Sequence, residues 1–162
     1  GQPDIYEFDL ATKTKTRLTD FGGIDVGGQY FSGEKQIIFV SNRLGYPNIF
    51  KKYLTDSSVS PVVYRGKNNN SCDAFGNKIV YSSRESSKRF SGNTFNIYLN
   101  SASGTMPLTS SGDNQFPRFS YDGNAVLYVK QQGGRSYAGY VNSNVNQTKL
   151  FDIGSKVQSI DW

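Results

Sequence analysis

The sequence predicts an all-β chain assembled from repeated four-stranded antiparallel units, and three observations carry that expectation. Aromatic residues make up 14% of the 162, with eleven Tyr and eleven Phe against one Met and one Trp. Such side chains suit pleated, half-buried surfaces. The apolar period within "QIIFVSN", "NIFKKYL", "KIVYSSR", "NIYLNS" and "AVLYVK" is two, and none of these runs reaches the length of a helix of about ten to twelve residues. Finally, the segments recur in a fixed order.

The recurrence rests on four markers. Asp4-Ile5-Tyr6, Asn48-Ile49-Phe50 and Asn96-Ile97-Tyr98 share a polar-Ile-aromatic pattern at spacings of 44 and 48. Leu18-Thr19 returns as Leu108-Thr109, with Val62-Val63 and Leu150-Phe151 in the same place. Phe31-Ser32 returns as Phe119-Ser120, 88 residues on. Ile37-x-Phe39, Ile79-x-Tyr81 and Val126-x-Tyr128 complete the set. Between the strands lie "FSGEK", "FGNK" and "SYDGN", whose Gly and Asn supply the positive φ of tight hairpin turns.

Taken in order, strands are expected at 4–10 and 15–19, which read as the back half of a unit spanning 4–24. The next unit, 25–66, has strands at 26–31, 36–42, 47–54 and 60–65. The unit 67–110 has strands at 70–74, 78–84, 95–101 and 105–109. The unit 111–153 has strands at 115–119, 124–130, 136–142 and 147–152. The segment 154–162, with "VQSIDW", reads as the inner strand of a closing unit. Four antiparallel strands in roughly 40 to 50 residues is the period of a β-propeller blade. A single such sheet cannot bury both faces, so blades stack, and the chain reads as a partial propeller of about three to four blades. A sandwich of the same strand count would not demand a repeat.

Composition narrows the function classes. The sequence contains no His, which removes the commonest general base and metal ligand together. The lone Cys72 cannot close an intrachain disulfide. The net charge of +5 comes from scattered cations such as "KTKTR" and "ESSKRF", a solvated-surface pattern and not a phosphate tract, so no nucleic-acid partner is expected. No apolar run approaches the roughly twenty residues that span a bilayer, so no direct membrane insertion is expected. The start "GQPDIYEFDL" has neither the basic nor the apolar region of a signal peptide, which places any export signal upstream. "GKNNNSCD" and the Asp-Gly turns lack the alternating carboxylates of a calcium loop. Neither a cofactor nor a metal is expected, and the chain reads as no enzyme.

"IIFVSNRLGYPNIFKKYL" and "FPRFSYDGNAVLYVK" resemble the blade pattern of the TolB-type propeller family. In that pattern a Ser-Pro-Asp-Gly turn leads to Ile-x-Phe-x-Ser, then Asp-Arg-x-Gly, an Ile-Tyr strand and an outer Leu-Thr. Ser120-Tyr121-Asp122-Gly123 matches with Tyr for Pro, Ser32-Gly33 matches loosely, and "CDAFGNK" departs most. The resemblance covers essentially the whole chain, including the Trp162 end, and points to the C-terminal part of a family propeller. It implies a periplasmic, non-enzymatic component of the Tol-Pal envelope system, supporting outer-membrane integrity and cell division. The propeller is then expected to bind the lipoprotein Pal, with TolA contacted through an N-terminal domain outside these residues. An incomplete ring would leave apolar faces without neighbours, and self-association of the fragment is expected from that.

Propellers bind at loops rimming the channel, here "GGIDVGG", "GKNNNS", "SGDNQFP" and "GSKVQS". The expected partner-binding residues are Asp25, Val26, Asn70, Ser71, Asn114, Gln115, Phe116, Val157 and Gln158, the polar ones pointing into the channel mouth. The same loops also serve as plain linkers, and core packing is an alternative role for Phe116 and Val157. Arg43 and Arg84, each after a Ser-rich strand end, are expected to form ion pairs within a blade. Lys88, Arg89 and Phe90 mark a basic-aromatic loop tip. Two other readings stay open. One is the lid propeller of a prolyl-oligopeptidase-type serine peptidase, whose catalytic domain would follow in the chain. The other is a carbohydrate-binding propeller, which calls for aromatic platforms in channel loops that hold only Phe116.

Overall fold

The computed structural model describes residues 2–66, 68–85, 93–142, 147–154 and 160. Those residues contain fourteen strands and no helix. A hairpin of β1 (Tyr6–Phe8) and β2 (Lys15–Arg17) is followed by three sheets of four antiparallel strands. The first runs β3 (Asp25–Phe31), β4 (Gln36–Ser41), β5 (Asn48–Tyr53), β6 (Val59–Pro61). The second runs β7 (Asn69–Phe75), β8 (Lys78–Ser83), β9 (Asn96–Ser101), β10 (Gly104–Pro107). The third runs β11 (Asp113–Phe119), β12 (Ala125–Gln132), β13 (Arg135–Asn142), β14 (Gln147–Gly154). Each strand pairs with its chain neighbour, the meander that the short Gly and Asn turns impose.

The sheets stack because their second strands are apolar on both faces. All six residues of β4 are buried. Ile37 and Phe39 point back to Ile5 and Leu18 of the leading hairpin, while Ile38 and Val40 point forward to Cys72, Ile79 and Tyr81 of the second sheet. Val80 then faces forward, meeting Phe119, Val126 and Tyr128 of the third sheet. Period-two alternation thus hands each interface to a different residue set. Each fully buried side chain contributes roughly 1.5–3 kcal/mol.

Two of the outer strands are shorter than expected. Strands expected at 60–65 and 105–109 end at Pro61 and Pro107, because proline has no N–H to continue a ladder. The chain still holds on beyond them. Leu18, Val62 and Leu108 donate their N–H groups to the carbonyls of Ile5, Ile49 and Ile97 at 2.8, 2.9 and 2.7 Å. The recurring Ile and the recurring outer Leu or Val are therefore the two ends of one repeated hydrogen bond.

A second repeated bond ties successive sheets. Asp25, Asn69 and Asn114, each at or next to the start of an inner strand, donate their N–H groups to Pro3, Pro47 and Phe95 of the preceding unit at 3.0, 2.9 and 2.9 Å. Lower down, Asp73 accepts the N–H of Phe119 at 2.8 Å and Lys78 donates to the Gly123 carbonyl at 2.6 Å. Those two ties carried no sequence signal.

Candidate partner-binding site

The inner strands share an irregularity at one height. Registers shift between Val26 and Gln29, between Asn70 and Cys72, and between Gln115 and Arg118. At each shift one residue is left-handed: Gly27 at φ 66°, Ser71 at φ 50° and Phe116 at φ 57°. Bulges of the left-handed kind place one residue in that conformation, which glycine adopts at no steric cost. Ser71 and Phe116 carry a Cβ there, costing roughly 1–2 kcal/mol each. The bulge turns residues that a regular ladder would engage toward the inner edge of the stack. Val26 is exposed, and Asn70, Ser71, Gln115 and Phe116 are half-buried.

Of the nine residues expected at the site, these five form the accessible inner edge. Val157 and Gln158 lie outside the described residues, as do Lys88, Arg89, Phe90 and Trp162. Asp25 and Asn114 depart from expectation, since both are buried, at 1% and 0% exposure, and bond inward. Asp25 accepts from Arg43 Nη2 on both carboxylate oxygens, at 3.1 and 3.0 Å. Asn114 donates Nδ2 to the Ser111 carbonyl at 2.9 Å. The glycine-rich loops before them turn these polar side chains into the joint between sheets, where the backbone bond to the preceding unit already holds them.

The remaining polar groups at the edge are partly engaged. Asn70 accepts from Ser82 Oγ at 2.6 Å, and Gln115 Nε2 donates to Asp113 at 3.2 Å. Both keep further hydrogen-bonding capacity for a partner, since a primary amide offers two donors and an acceptor with two lone pairs. Arg118 anchors the neighbouring wall through Nη1 to the Cys72 carbonyl at 3.3 Å. Cys72 is inert as a nucleophile, because burial pushes its thiol up to about 12. Among the described residues no group of three or more Cys, Asp or Glu is placed to hold a metal ion. No helix of the described residues is long and apolar enough to cross a membrane.

Arg43 and Arg84 divide. Arg43 makes the expected ion pair, with Asp25 of its own sheet. Arg84 instead lies over the ring of Phe95, 4.5 Å from its centroid. Position 48 and its counterpart 96 are both asparagine, and both serve the joint: Asn69 Nδ2 reaches Asn48 Oδ1 at 2.8 Å, and Asn114 Nδ2 reaches Asn96 Oδ1 at 3.4 Å.

The model of the TolB β-propeller domain matches residues 1–162. The "Tol-Pal system protein TolB" of Wolinella succinogenes is 48% identical over 99% of this chain, which covers 39% of that protein. The protein of the same name from Helicobacter pylori strain J99 is 40% identical over 100% of this chain, covering 40% of its own length. The crystal structure of TolB from Acinetobacter baumannii superposes with a TM-score of 0.78 at 26% identity, across 94% of this chain and 38% of that one. The chain thus spans about two fifths of the length of the curated relatives it matches.

Proposed function

The chain belongs to the TolB β-propeller domain family, and from that premise we propose that it is a non-catalytic binding module of the Tol-Pal cell-envelope system. In this reading it works in the periplasm, supports outer-membrane integrity and cell division, and binds the peptidoglycan-associated lipoprotein Pal. TolA is engaged through a domain outside these residues. The observation that carries the reading is 48% identity across 99% of the chain to a protein named for that system.

The inner edge supplies the contact surface. Val26 and Phe116 offer apolar area beside the hydrogen-bonding groups of Asn70, Ser71 and Gln115. A half-buried aromatic held in a costly left-handed conformation has the rigidity of an interface anchor, since little freedom remains to be lost on binding.

Calorimetric titration of the full-length protein with the soluble domain of Pal from the same organism tests the reading. Saturable binding is expected, weakened at least about tenfold by Phe116→Ala and by Val26→Asp. Absence of binding by two methods overturns the assignment. Binding at full strength in both variants overturns the inner edge as the site.

A further inference from the structure

On the outer side of the stack, between the first and second four-stranded sheets, runs an open groove of about 590 Å³ lined by Tyr64, Arg65, Tyr81, Glu85, Tyr98 and Asn100. Tyr81 and Tyr98 form a stacked pair within it, ring centroids 5.7 Å apart and planes inclined by 18°. The corresponding cross-strand pair one sheet earlier is Phe39 and Phe50, stacked at 6.3 Å. Phenylalanine therefore suffices to pack this place, and packing alone does not explain the hydroxyl of Tyr81.

Tyr81 is 1% exposed as a residue, yet its hydroxyl oxygen is not among the fully buried polar atoms left unpaired in the described residues. The oxygen therefore meets the open groove, where a ligand can bond it in place of water. Around it, Asn100 donates Nδ2 to Thr105 Oγ1 at 2.9 Å and retains an acceptor oxygen. Arg65 and Glu85 approach to 3.7 Å, so their opposite charges leave this groove close to neutral. The groove beside the Phe39–Phe50 sheet is instead lined by Arg17, Asp20, Lys52 and Asp56. Tyr64, 83% exposed, stands at the rim as a flat apolar platform.

We propose that this outer groove binds a neutral saccharide, with the C–H face of one sugar ring against Tyr64 and a sugar hydroxyl bonded to Tyr81. A sugar combines the two demands of the lining. Its axial C–H face packs on an aromatic ring, and its hydroxyls donate and accept, which satisfies a phenol and an amide oxygen at once. An extended peptide is a poorer occupant, because the neighbouring strand β10 ends on Pro107 and offers little edge to extend.

The test is NMR of the full-length protein labelled on its tyrosine rings, titrated separately with cellotriose, maltotriose and chitotriose. At least one trisaccharide should shift the Tyr64, Tyr81 and Tyr98 signals saturably. Tyr81→Phe copies Phe39 and should keep the fold while weakening the interaction about fivefold, the loss of one hydrogen bond. Tyr64→Ala should weaken it further. Shifts with none of the three sugars, or equal affinity in Tyr81→Phe, would overturn the proposal. Pal binding should be unchanged in Tyr81→Phe, so this groove and the inner edge fail or stand separately.

Discussion

The joint between the leading hairpin and the first sheet differs from the next two joints in chemistry while sharing their backbone. In all three, an inner-strand N–H bonds a carbonyl of the preceding unit. The side chain beside that bond is a carboxylate in the first joint, Asp25, and an amide in the others, Asn69 and Asn114. Where the carboxylate stands, Arg43 answers it and also lies over Phe21, Phe39 and Phe50, at 4.8, 5.5 and 5.0 Å from the ring centroids. The backbone bond sets the geometry, and the buried slot asks only for a satisfied polar group. A charge in the slot demands a dedicated partner.

Removing that partner should give the largest effect. Arg43→Ala strands a carboxylate whose side chain is fully buried, and should cost about 2–4 kcal/mol of stability in urea denaturation. Adding Asp25→Asn copies the other joints and should recover about half of the loss. No recovery would show that the cost lies in the lost aromatic stacking and not in the stranded charge.

The second joint allows the converse experiment. Asn69 Nδ2 donates to Asn48 Oδ1 and to the Arg65 carbonyl, both at 2.8 Å, and Asn69 Oδ1 accepts from Ser83. Asn69→Ala should cost about 2 kcal/mol by leaving buried partners unpaired. Asn69→Asp puts a carboxyl where no arginine answers, so burial should raise its folded pKa above the unfolded value. The folded chain then holds the proton more tightly, and stability should fall as pH rises through the ordinary carboxylate range and beyond. A flat profile from pH 4 to 7 would contradict the argument.

Much of this was legible in the sequence. Period-two runs and Gly-Asn turns located the strands, and the Ile and Leu markers proved to be bonded ends. The joint was misjudged because a polar residue following a glycine-rich loop has the composition of an exposed one. The signal was nonetheless present: Asp25, Asn69 and Asn114 recur at spacings of 44 and 45, and a polar residue kept at the repeat period belongs to the shared framework. Arg84 could not be told from Arg43, since only the fold sets Phe95 behind it. Gly139 also looked like any strand glycine. Its cross-strand partner is Tyr128, where the sister sheets pair two aromatics, and a Cβ at 139 would sit 2.2 Å from the Tyr128 ring. Gly139→Ala should therefore cost about 1–2 kcal/mol through forced movement of that buried ring.

The third joint predicts the smallest change and the most specific one. Cross-strand from Asp25 and Asn69 stand Ser41 and Ser83, but cross-strand from Asn114 stands Lys130. Lys130 bonds the Ser111 carbonyl at 2.7 Å and Ser111 Oγ at 3.0 Å, leaving the buried Asn114 Oδ1 without a donor. Lys130→Ser restores the Ser83–Asn69 arrangement. It trades the bonds to Ser111 for one to Asn114 and should change stability at neutral pH by less than about 1 kcal/mol. The informative readout is its pH dependence. Burial holds the Lys130 amine below its ordinary value of 10.5, so the unfolded chain binds the proton more tightly than the folded one. The cost of burying the cation is fully present below the lowered pKa and disappears as pH rises toward 10.5. The unaltered protein should thus gain stability relative to Lys130→Ser across the alkaline range just below 10.5, and parallel denaturation profiles of the two proteins there would show that the amine is solvated in the folded chain.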